Sequence, residues 1–241
     1  MTTNVLIVGG SGGIGWAMCR QLAQLPEIQV FATYRSTLPQ GSEDYERISW
    51  FQLDVMEQAH YPMLVERLSE VVHLDWLINC VGALSINERM PEKSLKSVDS
   101  EQFIDAIRIN TLPTLLLAQH FQPLLRKAHS PIFATISARV GSITDNGLGG
   151  WYSYRCSKAA LNMALKNISI EWGRLMPRSC TVALHPGTTD TSLSKPFQAR
   201  VPEHKLFSAD KTARLLIKVL QSLDRSNNGQ FLAYDGSLIE W

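Results

Sequence analysis

Tyr154 and Lys158 stand four residues apart inside a segment with helical periodicity, so both project from one face, one turn separated. A free phenol titrates near pH 10 and is a poor proton-transfer group at neutrality. An ammonium one turn away favours the phenolate and draws that value toward working pH, which general acid–base catalysis requires. Tyr152 lies close by but has Cys156 four residues on, so only Tyr154 carries the lysine partner. Amphipathic helices produce many Tyr-x3-Lys pairs by chance, and the rest of the chain must supply the specificity.

A second constellation lies near the start, where the apolar run 5–8 leads into Gly9-Gly10-Ser11-Gly12-Gly13-Ile14-Gly15. Glycine is needed where a turn demands positive φ or where backbone must approach a ligand closely. A strand, a glycine turn and a helix start present free N–H groups and the positive dipole end to a pyrophosphate. The spacing is Gly-x3-Gly-x-Gly, and no G-K-[ST] follows, so a dinucleotide fits better than a nucleoside triphosphate. The bland reading is an ordinary tight turn. Asp54, followed by Val55, ends the third apolar run; its carboxylate suits an adenine amine or the cap of the next helix. At the end of the second run, Tyr34-Arg35 stands where enzymes that select NAD place an acid. Arg35 suits a 2′-phosphate, which a guanidinium binds bidentately, or is simply an exposed loop residue. The expected cofactor is therefore NADP(H) rather than NAD(H). The oxidised nicotinamide ring would add a second positive charge beside the phenol of Tyr154.

The elements that must position these groups alternate along the chain. Short apolar runs at 5–8, 29–33, 48–53, 76–78, 132–136, 181–184 and 230–233 read as buried parallel strands. Between them, helical patterns cover 14–25, 62–72, 101–127, 152–175 and 210–223. Alternation of this kind predicts right-handed crossovers and one Rossmann-type doubly wound α/β sheet of about seven strands, helices on both faces, forming a single dinucleotide-binding and catalytic domain over 1–241. The least periodic stretches, 83–100 and 188–208, follow strands and are expected to shape a substrate pocket.

Composition removes other classes. With 23 Lys and Arg against 22 Asp and Glu there is no global field to attract nucleic acid or an anionic membrane. The four cysteines are scattered, which argues against a disulfide framework or a zinc site. The six histidines are dispersed too, so no metal is expected. No run approaches the roughly 20 apolar residues of a membrane span, and the first apolar run is too early and short for a signal peptide, so a cytoplasmic location is expected.

Together these features resemble the short-chain dehydrogenase/reductase family over essentially the whole chain. Its glycine motif is matched at Gly9, Gly13 and Gly15, and its adenine-side acid at Asp54. Its N-N-A-G motif appears as Asn79-Cys80-Val81-Gly82, and its active-site Asn as Asn110, which in the family bends a helix and holds a water near the lysine. Tyr154 and Lys158 match its Y-x-x-x-K pair; Pro186-Gly187 matches the Pro-Gly after the sixth strand, and Thr191 a threonine on the nicotinamide side. The runs 137–142 and 149–154, with Tyr234-Asp235-Gly236, are similar to the C-factor and sniffer-type carbonyl reductase group. The resemblance implies an oxidoreductase that moves hydride between NADP(H) and a small carbonyl or alcohol, with Tyr154 as general acid/base. The alternative it implies is a cofactor-binding signalling protein of C-factor type with slow or no turnover. It also implies a homodimer or homotetramer, consistent with a 152–175 helix that is apolar on more than one face.

One departure stands out. The family's catalytic serine normally sits three residues before a glycine, and aligning on Gly141 places Ala138 there. Two serines could supply the hydroxyl that polarises the substrate oxygen. Ser137 would need a local kink, because strand alternation turns it away from position 138. Ser142, twelve residues before Tyr154, has loop freedom and is the favoured candidate; for each, the bland reading is a loop-capping hydroxyl.

Overall fold

The computed structural model describes residues 2–69 and 73–241. Among the described residues, nine strands and six α-helices follow one another as β1 (Thr3–Val8), α1 (Gly13–Ala23), β2 (Ile28–Tyr34), β3 (Ile48–Gln52), α2 (His60–Ser69), β4 (Trp76–Asn79), α3 (Ser100–Asn110), α4 (Leu112–Leu125), β5 (Ile132–Ile136), α5 (Tyr152–Leu175), β6 (Cys180–His185), β7 (Thr188–Thr189), β8 (Leu206–Phe207), α6 (Ala209–Ser222) and β9 (Gln230–Ala233). Seven strands form one parallel sheet in the order β3-β2-β1-β4-β5-β6-β9. The strands are apolar on both faces because helices cover both. Val5, Ile7, Val30, Ile78, Val182 and Leu184 pack with Met18, Leu22, Leu216 and Leu220 of α1 and α6. On the other side Leu6, Leu77, Phe133 and Ala183 meet Leu64 of α2, Phe121 of α4 and Leu161 and Leu165 of α5.

Chain order reverses across β1, whose neighbours are β2 and β4. In such a sheet the crevice beyond the carboxyl ends at the reversal is where a ligand lies. The glycine turn after β1 and the segment after β4 border that crevice.

Three expectations from sequence are adjusted. The pattern over 101–127 is two helices, because Asn110 and Pro113 interrupt it. Asn110 spends its amide on the backbone of Ala83, accepting from its N–H at 2.8 Å and donating to its carbonyl at 2.9 Å. Pro113 lies in the first turn of α4, where its missing N–H costs nothing. The helix expected over 62–72 is described as His60–Ser69, and the rest of that span falls outside the described residues. The 188–208 stretch is partly ordered: β7 and β8 pair in parallel, Thr188 opposite Leu206 and Thr189 opposite Phe207.

Candidate active site

The glycine turn is built by close backbone approach. Gly9 adopts φ 77°. Its N–H donates to Thr33 Oγ1 at 3.0 Å, and the Gly12 N–H donates to the Gly9 carbonyl at 3.0 Å. A Cβ on Gly15 would lie 2.3 Å from that carbonyl oxygen, and one on Gly13 would lie 2.6 Å from Thr191 Cγ2. Side chains at these positions would thus fill the cradle. No side chain caps α1, whose N-cap is Gly12 in extended backbone, so the first-turn N–H groups of Gly13, Ile14 and Gly15 are left for an acceptor outside the helix. This arrangement fits the pyrophosphate of a dinucleotide.

From the turn a groove of about 550 Å³ runs past Ser11, Gly12, Tyr34, Arg35, Asp54 and Val55. Arg35 is exposed, and the neighbouring hydroxyls of Ser36 and Thr37 also border the groove. Asp54 borders it while one carboxylate oxygen accepts from the Met56 N–H at 3.0 Å, so the acid also closes the turn after β3. Asn79, expected among the cofactor contacts, borders neither this groove nor the cavity described next. Its Oδ1 accepts from the Val81 N–H and its Nδ2 donates to Thr114 Oγ1, both at 3.0 Å, so it holds the turn that presents Gly82. Gly82 borders both spaces, and a Cβ there would sit 3.3 Å from Lys158 Nζ.

The second space, about 400 Å³, brings together Tyr154, Lys158, Gly82, Ile14, Pro186, Gly187 and Thr191. These residues come from the starts of α1 and α5 and from the loops after β4, β6 and β7. Lys158 is buried and donates from Nζ to the Ile136 carbonyl at 3.0 Å; the same Nζ lies 5.9 Å from the centre of the Tyr154 ring. Burial draws the ammonium down to about 8. Burial also raises the Tyr154 phenol above its usual value, the reverse of the lysine-driven lowering expected from sequence. Desolvation outweighs the neighbouring ammonium. The phenol is therefore held protonated, the form of an acid. Around the pair, Asn110 Nδ2 donates to Ser157 Oγ at 3.0 Å, and Ser157 Oγ donates to the Tyr154 carbonyl at 2.8 Å. Asn110 thus fixes the helix turn between tyrosine and lysine and does not itself border the cavity.

The serine expectation is corrected. Ser142 does not border the cavity; it is buried, and its hydroxyl accepts from the Asp145 N–H at 3.1 Å. Ser137 borders the cavity, but its hydroxyl is spent on Asn162 Oδ1 at 2.6 Å, beneath Lys158 on α5. No kink turns it: Ala138 continues in extended backbone (φ −147°, ψ 144°), so alternation directs Ser137 to α5 and Ala138 elsewhere along the cavity wall.

Several wall residues escaped the sequence reading. Trp151, at φ 51°, meets Phe197 edge-on at 4.9 Å and Tyr154 at 6.3 Å. Leu84, Val140, Leu193 and Val201 complete a largely apolar wall, with His185 and Arg139 at one side. The His185 Nδ1 accepts from the Arg139 N–H at 3.3 Å; burial, with Arg139 beside it, pulls the imidazole down to about 4. Loop residues such as these have no periodicity to betray them; only the Gly149-Gly150 pair before Trp151 signalled an unusual backbone there.

Known proteins share the sequence pattern and fold of this chain. The family model "short chain dehydrogenase" matches residues 3–202. A 1-hydroxy-2-glutathionyl-2-methyl-3-butene dehydrogenase of Rhodococcus sp. (strain AD45) is 31% identical over 242 residues, spanning 99% of this chain and 100% of the relative. The C-signal of Myxococcus xanthus is 34% identical over 149 residues, 61% of this chain and 84% of its own. An NADPH-bound carbonyl reductase from chicken fatty liver superposes with TM-score 0.86 at 27% identity, covering 100% of this chain and 94% of that one. Carbonyl reductase Sniffer of D. melanogaster shares the fold, with TM-score 0.87 at 24% identity over 100% of both chains. The chain belongs to the short-chain dehydrogenase family and is an NAD(P)-dependent oxidoreductase.

Proposed function

We propose that the protein interconverts a small, apolar-bodied carbonyl compound and its alcohol with NADP(H), using Tyr154 as the proton-transfer group. The observation that carries this reading is the meeting of a buried Tyr154 and a buried Lys158 in one cavity, continuous through Gly82 with the dinucleotide groove. When bound, the nicotinamide supplies or accepts the hydride. Tyr154 gives its proton to the carbonyl oxygen as negative charge builds there, and takes it back in the oxidative direction. Lys158, held against the Ile136 carbonyl, stabilises the phenolate this leaves. Leu84, Trp151, Leu193, Phe197 and Val201 exclude water and favour an apolar substrate body.

Arg35, with Ser36 and Thr37 beside it and no acid at the end of β2, supports NADP(H) over NAD(H). The NADPH in the chicken carbonyl reductase structure points the same way. Exposed Met163 and Ile170 on α5 support pairing with a second copy of the chain. A second reading, a cofactor-binding signalling protein with slow turnover, draws on the likeness to the C-signal and on the methyl of Ala138 where a hydroxyl is expected.

The test is to incubate the purified protein with NADPH and a panel of aldehydes and ketones, following cofactor absorbance. Turnover supports the enzyme reading. Tight NADPH binding without turnover across the panel supports the signalling reading instead.

A further inference from the structure

The catalytic helix lacks a cap of its own. Trp151 occupies the N-cap position of α5 in left-handed backbone and offers no capping side chain. It follows Gly149 and Gly150, also at positive φ, so three successive residues turn the chain sharply into the helix. That geometry leaves the first-turn N–H groups of α5 in need of an outside acceptor.

Glu92, sixty-one residues earlier in the segment between β4 and α3, supplies it. The side chain is buried, 3% exposed. Its carboxylate accepts from the Ser153 N–H at 3.1 Å and from the Ser153 hydroxyl. Its own carbonyl accepts from the Trp151 N–H at 2.6 Å. Three hydrogen bonds accepted by one residue therefore hold Trp151 and Ser153, on either side of Tyr152 and just before Tyr154. The segment that carries Glu92 is itself anchored at two points ahead of it. Ala83 is held by the Asn110 amide, and Gln102 Nε2 donates to the Met90 carbonyl at 3.1 Å. Leu84 of this segment and Trp151 of the helix cap face the same cavity.

We propose that Glu92 is a positioning residue: by capping α5 from the 83–100 segment, it sets Tyr154 and Trp151 against the substrate and locks the two walls of the cavity to each other. This rests on the reading of Tyr154 as the proton-transfer group. A displacement of about 1 Å in a reacting group costs up to about a hundredfold in rate, which is the scale at stake when the cap is lost.

The test compares Glu92→Ala with Glu92→Gln. Alanine removes both side-chain bonds. Glutamine keeps an acceptor for the Ser153 N–H and gains a donor for its hydroxyl. Expected for Glu92→Ala are faster amide exchange at Ser153 with the later turns of α5 still protected, a KM for apolar ketones raised at least about fivefold, and kcat/KM lowered about 10- to 100-fold, with the NADPH dissociation constant within about twofold. Glu92→Gln is expected to recover most of that loss. Three results would overturn the proposal: unchanged exchange at Ser153, a loss of NADPH affinity as large as the loss of activity, or glutamine as damaging as alanine. Absence of turnover in the unsubstituted protein would instead count against the proton-transfer reading, and the exchange measurement would still decide the cap.

Discussion

Replacing Ala138 with serine should make the protein a faster catalyst. Hydride addition to a carbonyl places negative charge on its oxygen, and the rate depends on the donors already aimed there. Tyr154 is one. The neighbouring hydroxyls are not aimed there: Ser137 donates to Asn162 Oδ1 at 2.6 Å, and Ser142, outside the cavity, closes a turn by accepting from the Asp145 N–H at 3.1 Å. Position 138 borders the cavity in extended backbone, only partly buried, so one added oxygen meets space rather than packed core. A hydrogen bond to a charged acceptor contributes about 1.5–3 kcal/mol, and ordering a serine rotamer removes a few tenths of that. The expected gain in kcat/KM is therefore about 10- to 100-fold, with NADPH affinity unchanged. Steady-state NADPH oxidation with one ketone, Ala138→Ser beside the unsubstituted protein, measures it directly. Ser142→Ala in the same assay should change kcat less than about threefold, because its hydroxyl serves a turn. A folded Ala138→Ser protein with normal NADPH binding and no gain would refute the placement of residue 138 beside the reacting oxygen.

Arg35→Asp should weaken NADPH at least about tenfold and leave NADH nearly unchanged, checked by fluorescence titration of both; equal losses would remove the phosphate role of Arg35. Gly15→Ala puts a methyl 2.3 Å from the Gly9 carbonyl, so the turn must move. It should lower unfolding stability by about 1–3 kcal/mol and dinucleotide affinity with it, read by urea unfolding and the same titration. His185 titrates near 4 in the folded chain against 6.5 unfolded, so the unfolded state binds more protons between those values and stability falls as pH drops through them. Unfolding free energy should be up to about 2 kcal/mol lower at pH 5 than at pH 7 from this group, and His185→Gln should remove that part of the slope.

Strand and helix periodicity made the sheet legible, since residues such as Val5, Ile7, Ile132 and Val182 must be apolar wherever both faces are covered. The glycine turn and the Tyr154–Lys158 pair were legible because their spacings are local. What spacing could not show was competition for a side chain's hydrogen bonds. Asn79 looked like a ligand contact, yet its amide is consumed by Val81 and Thr114. Ser142 had the right separation from Tyr154 but closes a turn with Asp145. The phenol's titration was likewise beyond reach, because it depends on how deeply Tyr154 is buried as well as on which residue lies one turn away. Glu92 reaches Ser153 across sixty-one residues, a tertiary contact with no periodic trace.

Tyr154→Phe tests the central claim most directly, since it removes one oxygen and leaves the ring, Lys158 and the dinucleotide groove in place. Measured with NADPH and the best ketone or aldehyde of the panel, it should lower kcat by about 10²–10⁴-fold while the NADPH dissociation constant stays within about threefold. Turnover retained within about threefold would contradict the account and move the proton transfer to another group.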